Sequence, residues 1–348
     1  LPDTFGAGRR SVEPRDRGPA APIPYGNRDS ASAALPRAAA GLSFRMRVIP
    51  PHHPAVTPTV VPALASIRNT LGEGALWHAR TGRLYWVDIA GHKVHAYEPA
   101  TGRTLTALVG ESVGTVVPTR RREVLVALQR RFAFLDLVEA RLTPFPVEPL
   151  LPEPHRFNDG KCDSAGRLWV GSMDAGAATG EGVLWRLGTD LHAEPRRHGY
   201  SIPNGIAWSL DGRTLYHVDS PTRRVESFAF DPVDGALSAP QTLREFTEAD
   251  GVPDGMTIDA MGHLWIALWG GSRVVCLDST TGVTRAEIAL PVSQPSSCAF
   301  GGPSLDTLYI TTARIDLGAA ELASQPLAGA VFEVLPGAVG VPANEFGG

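Results

Sequence analysis

A turn residue followed by a basic or polar residue, then Leu and an aromatic or β-branched residue, returns along this chain every forty to fifty residues, and nothing else in it restricts the fold so strongly. The segment is read at 82–86, 166–170, 212–216, 262–266 and 306–310, with a fainter member at 122–126. With Leu84, Val124, Leu168, Leu215, Leu264 and Leu308 as equivalent positions, the successive steps are 40, 44, 47, 49 and 44 residues. That is the length of a four-stranded propeller blade. A second short strand follows at 94–97, 225–228 and 274–277, and the next bend carries Thr101-Gly102, Asp234-Gly235 or Thr281-Gly282. Glycine supplies the positive φ that hairpin turns demand. Helical periodicity is nearly absent. Six units predict an all-β, six-bladed β-propeller, with a strand around 59–65 pairing with the last blade to close the ring and remove an open edge. A pair of β-sandwich domains is the competing arrangement, but it would not impose one shared period.

Residues 56–348 are thus read as the propeller domain. Residues 1–55 are rich in Ala, Pro, Gly and Arg and lack apolar periodicity, so they bury too little surface to offset the entropy of ordering and are expected to be disordered. Hydrophobic residues make up 43% of the chain, charged residues 20%, and the net charge is −4. This balance excludes the basic excess that a nucleic-acid partner requires. No apolar run approaches the ~20 residues of a membrane-spanning helix. No apolar leader core is found either, which makes the cytoplasm the expected compartment and a monomer or weak dimer the expected state. Cys162, Cys276 and Cys298 have no metal-binding spacing, and the ten histidines show no H-E-x-x-H pattern. Any metal must therefore be sought among oxygen ligands.

Ten or eleven residues before four of the repeat markers, where the innermost strand of a blade should border the channel, stand Glu73-Gly74, Asn158-Asp159-Gly160, Asn204-Gly205 and Asp254-Gly255. Asn-Gly and Asp-Gly usually mean tight turns. Four in one phase of a repeat, each leading into an apolar strand, point instead to a site, because blade rotation brings equivalent positions to one end of the axis. Carboxylates converging in a narrow, low-dielectric channel repel one another unless a positive charge sits between them. Glu73 and Asp254 with the amide oxygen of Asn204 suit one hard divalent cation, with calcium first and magnesium or manganese next; zinc and iron(II) more often recruit His or Cys.

These stretches resemble the SMP-30/gluconolactonase/regucalcin family from about residue 69 to the C-terminus. The resemblance rests on Leu71-Gly72-Glu73-Gly74 with Trp77, 156–161, Asn204-Gly205 with Trp208-Ser209, Asp219-Ser220, Pro253-Asp254-Gly255-Met256 and 296–302. It implies a six-bladed propeller that opens sugar lactones with a divalent metal, Glu73, Asn204 and Asp254 as metal ligands, and Arg156 and Asn158 as substrate contacts. In the animal members a further carboxylate follows the strand equivalent to 170–173; here that neighbourhood reads Asp174-Ala175-Gly176, so Asp174 is a displaced substitute and the preferred sugar is left open.

The expected chemistry is attack of water on a polarised lactone carbonyl, with Asp254 activating the water. Arg156 and Asn158 orient sugar hydroxyls. Asp159 has two readings, a substrate contact or a cap on the turn before Gly160. The small-molecule partner is a sugar lactone; the alternatives on this scaffold are a calcium-binding regulator without turnover and an organophosphate-type hydrolase. Trp77, Trp169, Trp208 and Trp265 are read as packing residues, and Trp269 as a rim contact. The G-x-S-x-G at 110–114 leads into β-branched Thr115-Val116-Val117 and then Pro118, not the helix a nucleophile elbow needs.

Overall fold

The computed structural model describes residues 58–64, 66–145, 150–176 and 179–348; the extension expected to be disordered, 1–55, lies outside them. The described strands form six sheets of four strands each, paired antiparallel in sequence order within the first five blades. The innermost strands are Gly72–His78, Val113–Pro118, His155–Cys162, Pro203–Trp208, Val252–Ile258 and Pro295–Gly301. Each packs beside the next, and the last returns to the first. In the sixth blade Pro295–Gly301, Thr307–Thr312 and Val331–Val334 are completed by Val61–Leu64, which runs antiparallel to Val331–Val334 with Val61 opposite Glu333. The first described strand therefore closes the ring, as the repeat predicts. The helix among the described residues, Ala319–Ser324, is short, and none is long and apolar enough to cross a membrane.

The repeat marker is a packing device. Leu84, Leu168, Leu215, Leu264 and Leu308 are all fully buried, and Val124, the faint member, nearly so. Two blades add a polar staple. Asp163 accepts the turn amides of Ala165 and Arg167 on Oδ1 and the Trp169 indole N–H on Oδ2 at 2.8 Å. Asp259 repeats this with Met261, His263 and the Trp265 indole at 2.9 Å. Each carboxylate saturates a turn's orphan donors and ties the turn to the next strand, which makes its burial affordable. Trp77 stacks on Tyr309, and Trp169 meets Phe230 edge-on, the packing roles their strand positions suggest. The three cysteines are free and buried.

Beyond Val334 the chain crosses one face of the ring. Ala260 and Gly340 hydrogen-bond with Val339 and Leu305, Phe346 donates to the Pro118 carbonyl, and Gly347 donates to that of Gly166. Glu345 accepts from His78 at 2.6 Å and from Arg80 at 2.9 Å. Phe346 is fully buried among Leu76, Val117, Phe157 and Leu168, so the tail fills a seam between blades. Phe346→Ala should cost roughly 3–5 kcal/mol, the usual loss for a buried aromatic. Urea unfolding checks this; an unchanged midpoint would mean the tail lies passively on the face.

Candidate metal centre

Every innermost strand slips register against its neighbour, between Glu73 and Leu76, Val113 and Thr115, Phe157 and Gly160, Pro203 and Ile206, Pro253 and Met256, and Pro295 and Ser297. A bulge of this kind leaves residues unpaired and re-aims side chains. The polar residues stand at or inside the slips: Glu73, Asn158 with Asp159, Asn204 and Asp254. The remaining two slips carry Gly114 and Ser296. The X-Gly dipeptides are therefore bulges within strands, not hairpin turns. The glycines answer to different constraints: a methyl group at Gly205 would collide with the Asp254 carbonyl of the next blade and one at Gly114 with that of Phe157, one at Gly160 would meet the Trp169 carbonyl of its own blade, and Gly74 has a φ of 61°.

Glu73, Asn158, Asn204 and Asp254 are all buried and line one cavity of ≈ 280 Å³, with Arg156 on its wall. A directional chain of hydrogen bonds sets the amides. Arg156 donates to Asn158 Oδ1 at 2.6 Å, Asn158 Nδ2 donates to Asn204 Oδ1 at 2.6 Å and to the Pro203 carbonyl at 3.0 Å, Asn204 Nδ2 donates to Ser220 Oγ at 2.8 Å, and Ser220 donates to the Pro253 carbonyl at 2.7 Å. Because the chain begins at an obligate donor and ends on an obligate acceptor, both amide orientations follow from it. Asn204 Oδ1 keeps a second lone pair. Ser220 was visible in the sequence only as half of an Asp-Ser pair. Its partner Asp219 accepts the backbone amides of Ser201 and Ile202 and holds the loop.

The carboxylates lack such satisfaction. Asp254 Oδ1 is buried with no hydrogen-bond partner. Burial pushes the Glu73 carboxyl up to about 8, the negative charge of Asp159 adds to this, and the Gly74 amide and Asp254 offset part of it. Asp254 is pushed well above the ordinary range by burial, then by the charges of Glu73 and Asp159. The two acids interact directly, so burial and their mutual charge disfavour ionising both without a cation. Two buried acids, one orphaned oxygen and a free amide lone pair form the donor set of a hard divalent cation, so the residues present fit a metal at Glu73, Asn204 and Asp254.

Asp159 is placed differently. It is buried, accepts the Gly160 amide at 2.8 Å and is absent from the cavity lining. Its other oxygen, Oδ2, is buried with no partner, and its charge acts on Glu73 and Asp254. Asp174 accepts the Gly176 amide at 2.8 Å and does not line the cavity. Trp269 does, together with Asp316, a residue that carries no motif. A larger cavity of ≈ 330 Å³ opens elsewhere, lined by Trp77, Lys161, Trp208 and the tail at 341–344, and contains none of the site carboxylates. Asp259, His263 and Cys276 also cluster at metal-ligand distances. Asp259 is already saturated by its staple, and blade 3 puts Arg167 where blade 5 has His263. That cluster is the turn device again.

A family profile described as SMP-30/Gluconolactonase/LRE-like region matches residues 71–314. The chain is 37% identical to a pentonolactonase of Haloferax volcanii, covering 78% of this chain and 93% of that one. It is 37% identical to regucalcin of Danio rerio, covering 81% and 96%. The solved structure described as a calcium-binding protein, regucalcin, from Agrobacterium tumefaciens superposes with a TM-score of 0.76 at 28% identity, covering 82% of this chain and 96% of that one.

The raised Glu73 carboxyl has a consequence for stability. Without a cation the folded state keeps a proton that the unfolded chain releases near its ordinary value of 4.5. This contribution is complete below that value and is lost as pH rises towards about 8. In chelator, the melting temperature of the wild type relative to Glu73→Gln should therefore fall as pH rises through this window, and added calcium should restore it most at the alkaline end. Differential scanning calorimetry checks both; a calcium response that is the same in Glu73→Gln would remove Glu73 from the ion site.

Proposed function

The chain belongs to the SMP-30/gluconolactonase/LRE-like family, and on that premise we propose that it hydrolyses a sugar lactone to the corresponding aldonic acid at one divalent metal held by Glu73, Asn204 and Asp254. The observation that carries this reading is the unsatisfied oxygen set on the cavity floor: orphaned Asp254 Oδ1, the destabilised Glu73 carboxyl and the Asn204 oxygen held in place through Ser220. Calcium suits two carboxylates and an amide carbonyl, and the description of the Agrobacterium tumefaciens relative as calcium-binding supports that choice. Manganese and magnesium offer the same hard-ion chemistry.

A bound divalent ion supplies Lewis-acid polarisation of a carbonyl and lowers the pKa of water. The remaining work falls to side chains. Asp254, its Oδ1 free of protein donors, takes a proton from the attacking water as that water adds to the lactone carbonyl carbon. The ring C–O bond then breaks, the leaving ring oxygen takes the proton held by Asp254, which regenerates the carboxylate, and the carboxylic acid product ionises to solvent. Arg156 spends one amino group on Asn158 and the Phe157 carbonyl, leaving further N–H donors for substrate oxygens. Asn158, tied to Arg156 and Asn204, keeps Arg156 at the wall. Asp159 contributes through its charge and by capping the Gly160 bulge, outside the lining.

Acid release followed with a pH indicator tests the proposal on glucono-, xylono-, galactono- and arabinono-lactones, with and without chelator. Turnover should vanish with chelator and return with a divalent metal. Asp254→Asn should lower kcat/KM on the order of 10²–10⁴-fold, the range for a lost general base. Calcium binding with no acid release from any lactone, under any of the common divalent metals, would leave a calcium-binding propeller without turnover in its place.

A further inference from the structure

We propose that Asp316 is the specificity-determining residue at the mouth of this cavity, its carboxylate accepting hydrogen bonds from hydroxyl groups of a polyhydroxylated ligand whose reacting end lies on the floor. The inference rests on the proposed function for the chemistry of the ligand. Apart from the floor and wall groups Glu73, Arg156 and Asp254, Asp316 is the one ionisable residue lining the cavity. The walls between are Leu71, Ile89, Met173, Ile202, Val252 and Ile315, with the Trp269 ring beside them. Hydroxyls buried against such a wall have no partner there, and an unpaired buried hydroxyl costs free energy. Asp316 is exposed, and no hydrogen bond or ion pair of its side chain occurs among the described residues.

Its backbone is held firmly. Arg314 and Ile315 both donate to the Thr70 carbonyl, at 3.1 and 2.9 Å, Ala313 donates to the Gln294 carbonyl at 2.9 Å, and the Gln294 amide donates to the Ile315 carbonyl at 3.1 Å. Thr70 and Leu71 are themselves held by the Asp88 carboxylate. Asp316 adopts a φ of 61°, in the left-handed region that Asp tolerates better than most residues. A clamped loop thus presents an unpaired acceptor at the mouth, whereas Asp174 spends an oxygen on its own turn and lies off the lining. Trp269 offers an apolar face on which the C–H face of a sugar can lie.

The test uses the full calcium-loaded chain with Asp316→Ala and with Asp174→Ala as the control. Calorimetric titration with sorbitol, which has hydroxyls and no carbonyl, reads the subsite without turnover. Turnover of gluconolactone against δ-valerolactone, which has no hydroxyls, reads it in the reaction. Asp316→Ala should weaken sorbitol binding about tenfold, the scale of a lost charge-assisted hydrogen bond. It should also raise KM for gluconolactone by a similar factor and leave δ-valerolactone unchanged, while Asp174→Ala alters none of these. Equal sorbitol affinity in wild type and Asp316→Ala, no sorbitol binding by the wild type, or parallel losses on both lactones overturns the inference. Sorbitol binding that depends on Asp316 in a protein that opens no lactone supports the subsite and removes only the hydrolase reading.

Discussion

Six strands crowd a single axis so closely that a methyl group at Gly205 would strike the Asp254 backbone and one at Gly114 the Phe157 backbone. The site follows from this crowding. Each inner strand escapes it with a bulge, and each bulge turns one or two side chains out of the regular alternation. At Gly114 the slip carries no side chain, and at Ser296 the hydroxyl is taken up by the Gly72 carbonyl and Thr311. Where the side chains are Glu73 and Asp254, two like charges are buried together, and only a proton or a cation relieves them.

The same residue types serve structure and site in this molecule, and hydrogen-bond accounting separates them. Asp163, Asp259, Asp88 and Asp219 are buried carboxylates whose oxygens are taken up by backbone amides or an indole. They hold turns. Asp254 has an oxygen with no donor, although its neighbours Asn204 and Ser220 are fully connected through a chain running from Arg156 to Pro253. Asp159 Oδ2 is likewise unpartnered, but of the two only Asp254 lines the cavity with Glu73 and Asn204. Buried polar atoms without partners occur elsewhere too, the Tyr200 hydroxyl and Gln294 Oε1 among them, but on this cavity's lining the unpartnered atom is a carboxylate oxygen beside a second buried acid, which marks a ligand position.

The turn dipeptides show how local signals and tertiary context divide. Asn-Gly and Asp-Gly read locally as hairpin turns, yet each lies within a strand, at a slip in its register. The shared phase of four such dipeptides in the repeat was the better guide. Asp159 and Asp174 mark the limit of that guide. Both sit one or a few residues from the right register, and both spend an oxygen on a nearby turn or bulge amide, off the cavity lining. Asp316 has no register at all. It reaches the mouth because its loop is stitched to Thr70, at the other end of the described chain.

From the sequence by itself came the number of blades, the strand that closes the ring and the shared phase of Glu73, Asn158, Asn204 and Asp254, which line one cavity. Each of these is periodic, and periodicity is a local property copied from blade to blade. The direction of the Asn158 and Asn204 amides, the orphaned oxygen of Asp254 and the apolar wall that isolates Asp316 were decided by the tertiary structure alone. They depend on which donors and acceptors remain unpaired after strands from different blades have packed, and no single segment carries that information.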